Sequence, residues 1–155
     1  MDTVPVPTLP TCVCAALRQV TRAVTQIYDE ALEPSGLRAM QYSILMTIRG
    51  HGEITVTGIS KYLKMDQTTV TRSLQILERN QWIRHIATPD RRTRTVRLTP
   101  KGMAVVKKAE PLWKSVQDRT LATLGADAWA AAQSPLARLA TLATPANIEN
   151  EGSQA

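Results

Sequence analysis

The stretch MDQTTVTRSLQIL, residues 65–77, decides the fold. Asp66 is a favoured N-cap residue, because its carboxylate can accept hydrogen bonds from the free N–H groups of a first helical turn. Val70, Leu74 and Leu77 follow at spacings of four and three, which is the pattern of one buried helix face. The sequence therefore predicts a helix from about residue 67 to residue 80.

A short helix and a basic hairpin flank this stretch. Residues 54–56 predict a short extended piece and residues 57–63 predict the short helix. A turn at residues 64–66 joins that helix to the longer one, which is the helix-turn-helix pattern. Residues 83–88 and 93–98 predict two strands, of which the second alternates with period two. Pro89-Asp90-Arg91-Arg92 forms the turn between them. A hairpin in this position is the wing of a winged helix-turn-helix.

The rest of the chain is predicted to be largely helical, so the fold class is mainly α with a small β-wing. Helices are expected over residues 11–32 and 39–49, and from Pro100, after the N-cap Thr99, to about Leu124. An Ala- and Leu-rich helix follows to about Leu142, interrupted by Pro135.

The domain organisation follows from this order of elements. Residues 1–10 are rich in proline and predict an extended arm, residues 11–143 form a single domain, and the polar tail 144–155 is expected to be disordered. Within the domain, a winged helix-turn-helix at about 37–99 lies between helices at about 11–33 and 100–143. The apolar faces of these flanking helices exceed what the central unit can cover, which predicts a symmetric dimer.

The positive charge is concentrated in the middle of the chain. Residues 49–101 contain eleven Lys or Arg and four Asp or Glu, whereas the rest of the chain contains eight basic and nine acidic residues. A charge that served only solubility would be spread evenly, so this distribution predicts a polyanion partner for the central segment. Duplex DNA is the expected polyanion.

The candidate DNA-binding residues of the second helix are polar and lie opposite its apolar face. Arg72 and Gln67 have the donor geometry to contact guanine and adenine edges in the major groove, and hydroxyls can reach bases or phosphates. The alternative is a solvated helix face without a partner. The full set is Gln67, Thr68, Thr69, Thr71 and Arg72.

The wing supplies a second group of candidates at Asp90, Arg91, Arg92 and Arg94. Three guanidinium groups at one hairpin tip repel each other unless an anion is near, and a narrow minor groove provides one. Asp90 is expected to orient Arg94, and Arg92 to contact DNA. The alternative is a solubilising loop.

These motifs resemble the multiple antibiotic resistance regulator (MarR) family over about residues 12–143. The resemblance rests on Met65–Leu74, on Leu77-Glu78-Arg79-Asn80, and on the spacing Asp90-x-Arg92-x-Arg94-x-Val96-x-Leu98-Thr99-x-x-Gly102. It implies a winged-helix homodimer on a pseudo-palindromic operator, usually a repressor released by a small ligand or by oxidation. Gln81 stands where such proteins commonly have glycine, and Asn80 is expected to supply the left-handed turn.

Two cysteines form a candidate redox site at the start of the first helix, where thiols are often reactive. Organic hydroperoxide sensors of the resembled family carry a reactive cysteine there, held by two tyrosines. Cys14 and Tyr28 match that spacing and Tyr42 matches a further tyrosine, but Ala39 replaces the second tyrosine of the sensor site. The alternative is that Cys12 and Cys14 are small apolar residues packed at a dimer junction.

A small-molecule pocket is the other candidate switch. Met40, Met46 and Trp113 are candidates to line it and to take a small aromatic ligand, although such residues are also typical of an ordinary core.

Other function classes have weaker support. The two histidines and two cysteines give no metal-ligand cluster, and the sequence contains no nucleophile elbow or phosphate-binding glycine loop, so neither an enzyme nor a cofactor or metal is expected. No apolar stretch approaches the roughly 20 residues that span a bilayer, and the expected compartment is the cytoplasm. A winged-helix protein-interaction module and a non-specific architectural DNA binder remain the alternatives.

Overall fold

The computed structural model describes residues 8–87 and 94–142 of the 155-residue chain. The chain divides into two compact units, one up to Val116 and one from Gln117. The described helices are α1 Val13–Leu32, α2 Ala39–His51, α3 Val56–Leu63, α4 Gln67–Arg79, α5 Pro100–Leu124 and α6 Ala126–Leu142, and the strands are β1 Glu53–Thr55, β2 Ile83–Ile86 and β3 Thr95–Leu98.

The prediction of a mainly helical chain with a small β-wing is confirmed, with two local corrections. Helix α2 continues through Gly50 to His51 and ends at Gly52, which has a φ of 71°. Pro135 does not interrupt α6, which runs through it from Ala126 to Leu142. A proline removes one backbone hydrogen bond, but the alanines and leucines around it are strong helix formers that keep the helix continuous.

The wing belongs to a three-stranded antiparallel sheet with the strand order β1-β3-β2. The sequence predicted an extended piece near Ile54 but not that it would pair with the wing. Ile54 lies opposite Val96, and Val96 lies opposite His85. The predicted wing turn at Pro89-Asp90-Arg91-Arg92 lies outside the described residues. Strand β1 thus holds the base of the wing against the helix-turn-helix.

The core of the first unit includes the inner face of α4, which packs against α3 and β2. Val70, Leu74 and Leu77 of α4 are all buried, which confirms the predicted inner face of that helix. They share one cluster with the fully buried Ile48 of α2 and Val96 of β3. Each such side chain contributes about 1.5–3 kcal/mol on burial, so this packing stabilises α4 within the first unit.

The turn that ends α4 differs from the expectation, because Gln81 and not Asn80 adopts the left-handed conformation. Asn80 has a φ of −79°, whereas Gln81 has a φ of 61°. The Gln81 amide donates to the Glu78 carbonyl oxygen (2.7 Å) and the Trp82 amide to the Leu77 carbonyl oxygen (2.9 Å). These two bonds form a Schellman motif, which places the left-handed residue one position after the helix cap.

Candidate nucleic-acid interface and cavity

Helix α4 has one buried face and one exposed polar face. Thr68, Arg72, Gln75 and Arg79 are exposed and recur at spacings of four, three and four, so they form one stripe opposite the buried side chains. We call these four residues the α4 stripe. Of the other predicted residues, Gln67 and Thr69 are exposed and Thr71 is half-buried.

The first turn of α4 is held by Asp66, as predicted. One carboxylate oxygen of Asp66 accepts from the Thr69 amide (2.8 Å), and the other accepts from the Thr69 hydroxyl (2.6 Å). The hydroxyl bond, followed by the amide bond, lowers the pKa of Asp66 below its usual value. The cap fixes the Thr69 side chain, so Thr69 supports the helix end beside the more freely placed Thr68.

Gln75 belongs to the exposed stripe but was not among the predicted residues. The predicted residues all lie in the first half of the helix, between Gln67 and Arg72. The signal was present in the spacing, because Gln75 lies three residues after Arg72 and seven after Thr68, on the same helix face.

The turn before α4 and the wing place further positive charge on the first unit. Lys64 adopts a left-handed conformation (φ 53°) at the end of α3, and both Lys61 and Lys64 are exposed. Arg94 is exposed, and its carbonyl oxygen accepts from the Val56 amide at 3.0 Å. This bond ties the base of the wing to the start of α3, whereas Asp90, Arg91 and Arg92 lie outside the described residues.

A cavity of about 200 Å³ lies between α1, α2 and α5 in the first unit. The Tyr42 and Trp113 rings stack in its wall, with centroids 6.0 Å apart and planes at 27°. Burial, followed by the nearby Glu110 carboxylate, raises the pKa of Tyr42. The lining residues are Val24, Thr25, Tyr28, Ala39, Tyr42, Ser43 and Trp113.

Only one of the three predicted pocket residues lines this cavity. Trp113 does, but Met40 is 44% exposed on α2, and Met46 packs against the core cluster. Met40 lies on a different face of α2 from Ala39, Tyr42 and Ser43, whereas Met46 shares their face but lies about one turn further along the helix. Tyr28, predicted for a redox site, is a lining residue of the cavity.

The structure does not bring Cys14 and Tyr28 together within one chain. Both residues lie in α1, 14 positions apart, which corresponds to about 21 Å along a helix. Cys12 and Cys14 are free thiols, and both are exposed. Contact between Cys14 and a tyrosine at position 28 therefore requires a second copy of the chain.

Neither a cluster of metal ligands nor a membrane-spanning helix is found among the described residues. Across residues 8–87 and 94–142, no three His, Cys, Asp or Glu side chains are grouped so as to hold a metal ion. Within the same residues, no helix is both long and apolar enough to cross a membrane.

Known proteins are similar to this chain both in sequence and in architecture. A model of the MarR family matches residues 37–93. The HTH-type transcriptional regulator YwoH of Bacillus subtilis is 32% identical over 105 residues, which cover 68% of this chain and 72% of YwoH.

Two solved structures extend the comparison to nearly the whole chain. The M. tuberculosis transcriptional regulator MosR in complex with DNA superimposes with a TM-score of 0.76 at 32% identity, and the match covers 93% of this chain and 99% of MosR. A mutant MarR from E. coli complexed with operator DNA gives a TM-score of 0.73 at 26% identity, covering 79% and 89%. The chain is therefore a winged helix-turn-helix transcriptional regulator that belongs to the MarR family.

Proposed function

We propose that this regulator binds duplex DNA as a homodimer, with α4 of each protomer in the major groove of one half of a pseudo-palindromic operator. The observation that carries the proposal is the division of α4 into a buried apolar face and the exposed α4 stripe. A helix about 10–12 Å across fits a major groove about 12 Å wide. The DNA complexes of MosR and of the MarR mutant support this assignment, and DNA as the partner supports the cytoplasm as the compartment.

The residues of α4 have distinct proposed roles. Arg72 donates in bidentate fashion to a guanine, whereas Gln67 and Gln75 have the amide geometry that pairs with adenine. Thr68 and Thr71 reach bases or phosphates through their hydroxyls, and Thr69 holds the helix end through Asp66. One bidentate contact discriminates between bases by about 1–3 kcal/mol, so Arg72 is the main specificity residue in this proposal.

The wing is proposed to contact the adjacent minor groove. Arg92 enters the groove, where negative potential attracts a guanidinium group, while Arg91 and Arg94 contact phosphates and Asp90 orients Arg94. The exposed position of Arg94 at the base of the wing agrees with this role.

The proposed dimer would cover apolar surface on α1 and on α6. Val13, Leu17, Val20, Val24 and Ile27 recur along α1 and are between 37% and 56% exposed. Helix α6 has no buried residue in the described chain, and Leu136, Leu139 and Leu142 are exposed along one side of it. Stripes of this kind are typical of interfaces, and a second copy of the chain gives a closed symmetric assembly.

Release from DNA is proposed to follow from binding of a small aromatic molecule in the cavity beside Trp113. A volume of about 200 Å³ accommodates a single-ring compound, and the Tyr42–Trp113 stack offers an aromatic wall. Repression is the mode of action that this proposal assigns. The Trp113 ring provides a fluorescence signal for ligand binding.

A thiol switch is the second candidate, because Cys12 and Cys14 are both exposed at the start of α1. In that case an organic hydroperoxide, and not an aromatic ligand, releases the DNA. A Cys14→Ser variant whose response to peroxide equals that of the wild type would remove this candidate.

The test is a titration of the purified protein against DNA from upstream of its own gene, with unrelated DNA as competitor, repeated with an organic hydroperoxide and with aromatic compounds. Specific binding that a ligand abolishes supports the ligand-released repressor, and specific binding that oxidation abolishes and thiol restores supports the redox switch. Steep salt dependence without sequence preference, about 0.9 log units per phosphate, would indicate an architectural binder. Weak DNA binding whose affinity is unchanged by Arg72→Ala would favour a protein-interaction module.

A further inference from the structure

Thr99 connects the turn that ends the recognition helix α4 to the first turn of α5. Its hydroxyl donates to the Gln81 carbonyl oxygen at 2.6 Å, with the Trp82 carbonyl oxygen at 3.2 Å, and accepts from the Gly102 amide at 3.0 Å. Its own amide donates to the Trp82 carbonyl oxygen at 3.0 Å. One residue is therefore both the N-cap of α5 and the anchor of the turn after α4.

Gly102 brings the backbones of these two segments into direct contact. A Cβ atom on residue 102 would lie 1.9 Å from the Trp82 carbonyl oxygen and 2.8 Å from the Trp82 carbonyl carbon. Both atoms belong to the backbone, so no side-chain rotation could relieve the contact. The approach of α5 to the turn is thus fixed by backbone geometry.

The turn is equally rigid on its other side. The Schellman bonds from Gln81 and Trp82 to the Glu78 and Leu77 carbonyl oxygens close the end of α4. Hydrogen bonds and backbone contact therefore run without interruption from α4, through the turn, to the first turn of α5. We call Gln81, Trp82, Thr99 and Gly102 the α4–α5 junction.

We propose that Thr99 and Gly102 are positioning residues that set the orientation of the recognition helix α4 relative to α5. Through that orientation they fit the spacing of the two recognition helices of a dimer to the spacing of the two half-sites. This inference rests on the proposed DNA-binding dimer. Two half-sites lie about 34–36 Å apart, a distance that both helices must fit at once. Because α4 is about 20 Å long, a rotation of about 5° at the junction moves its far end by about 1.7 Å, half the rise of one base pair.

The test compares two DNA probes with variants of Thr99. The first probe is the duplex that the wild-type protein selects from a random library, and the second is the same duplex with one half-site randomised. Thr99→Val keeps the shape of the side chain but removes all three hydrogen bonds of the hydroxyl. We expect it to weaken binding to the full duplex roughly tenfold, to leave half-site binding within about threefold, and to be rescued by Thr99→Ser.

A matched control and a second variant keep the test decisive. Thr123→Val removes a hydroxyl that also donates to a helix carbonyl oxygen, that of Arg119 at 2.9 Å, and should leave both affinities unchanged. Thr99→Asn retains a capping oxygen for α5 but changes its reach to the turn, so it should fold and still lose full-duplex affinity.

Three results would overturn the inference. Equal losses on both probes would show a merely structural role, and wild-type affinity of Thr99→Asn for the full duplex would show that the junction does not position α4. Failure of the wild-type protein to bind any selected duplex would refute the DNA-binding proposal itself. Wild-type binding is therefore measured first, which separates failure of the DNA-binding proposal from failure of the positioning role of Thr99.

Discussion

Gly102→Ala should destabilise the protein, although alanine is the better helix former. The new Cβ would lie 1.9 Å from the Trp82 carbonyl oxygen, and real contacts rarely fall below 3.0 Å, so the two backbones must separate by about 1.1 Å. That oxygen also accepts from the Thr99 amide at 3.0 Å, and the separation breaks this bond.

The magnitude follows from three effects. Overpacking of this kind lowers the free energy of unfolding by about 1–3 kcal/mol, and the lost backbone hydrogen bond lowers it by about 0.5–1.5 kcal/mol. The higher helix propensity of alanine raises it by about 1 kcal/mol. The free energy of unfolding should therefore fall by about 2 kcal/mol. Urea unfolding at one fixed protein concentration measures it, because dimerisation couples stability to concentration.

Gly50→Ala is the matched control for this prediction. Gly50 also lies in a helix, but a Cβ there meets nothing within 4 Å. This variant should gain about 0.5–1 kcal/mol from helix propensity and lower backbone entropy in the unfolded state. If Gly102→Ala were as stable as Gly50→Ala, the close contact with Trp82 would be refuted.

Three further predictions concern the ends of α4 and the ion pair beside the cavity. Gln81→Gly should raise the free energy of unfolding by up to about 1 kcal/mol, since glycine adopts a φ of 61° without strain; lower stability in urea would contradict this. Asp66→Ala should lower the thermal midpoint at pH 7. Hydrogen bonds from Thr69 lower the folded pKa of Asp66, so the stabilisation by the charged cap is present above the unfolded pKa and is lost as pH falls through the folded pKa. The difference in thermal midpoint between the variant and wild type should therefore shrink below about pH 4. A difference that stays constant with pH would argue against a charged cap. The Arg49 guanidinium nitrogen Nη2 lies 2.7 Å from Glu110 Oε1, and both side chains are partly exposed. A double-mutant cycle with Arg49→Met and Glu110→Gln should therefore give a coupling energy of about 0.2–1 kcal/mol that decreases in high salt. A coupling energy of zero would contradict a stabilising ion pair.

The sequence predicted the helix-turn-helix because its signals are local. Asp66 caps the helix that follows it, and the spacing of Val70, Leu74 and Leu77 reports a buried face whatever the distant parts of the chain do. The pairing of β1 with β3 joins residues 40 to 44 positions apart, and no local pattern encodes such a contact. This difference explains why the helices were predicted and the pairing of β1 with the wing was not.

The candidate site was predictable only where it follows helix phase. The exposed positions of Gln67, Thr68 and Arg72 follow from the buried face of the same helix. The cavity walls come from three helices, and the sequence does not state on which face, or how far along its length, each helix meets the others, so Tyr42 and Ser43 were not predicted to line a cavity. Gln81 shows a third case, because a residue type suited to a left-handed turn, Asn80, was preferred over the position that the Schellman motif requires.

The most direct test of DNA recognition by α4 is a base-pair scan. The affinities of wild type and Arg72→Ala are measured on the selected duplex and on duplexes that each carry one symmetric base-pair change. Arg22→Ala, at an exposed position of α1 opposite its apolar stripe, is the control. We predict that Arg72→Ala loses discrimination of about 1–3 kcal/mol at one position per half-site and keeps the wild-type pattern elsewhere, while Arg22→Ala matches wild type throughout. A wild-type pattern of discrimination at every position in Arg72→Ala would contradict the account.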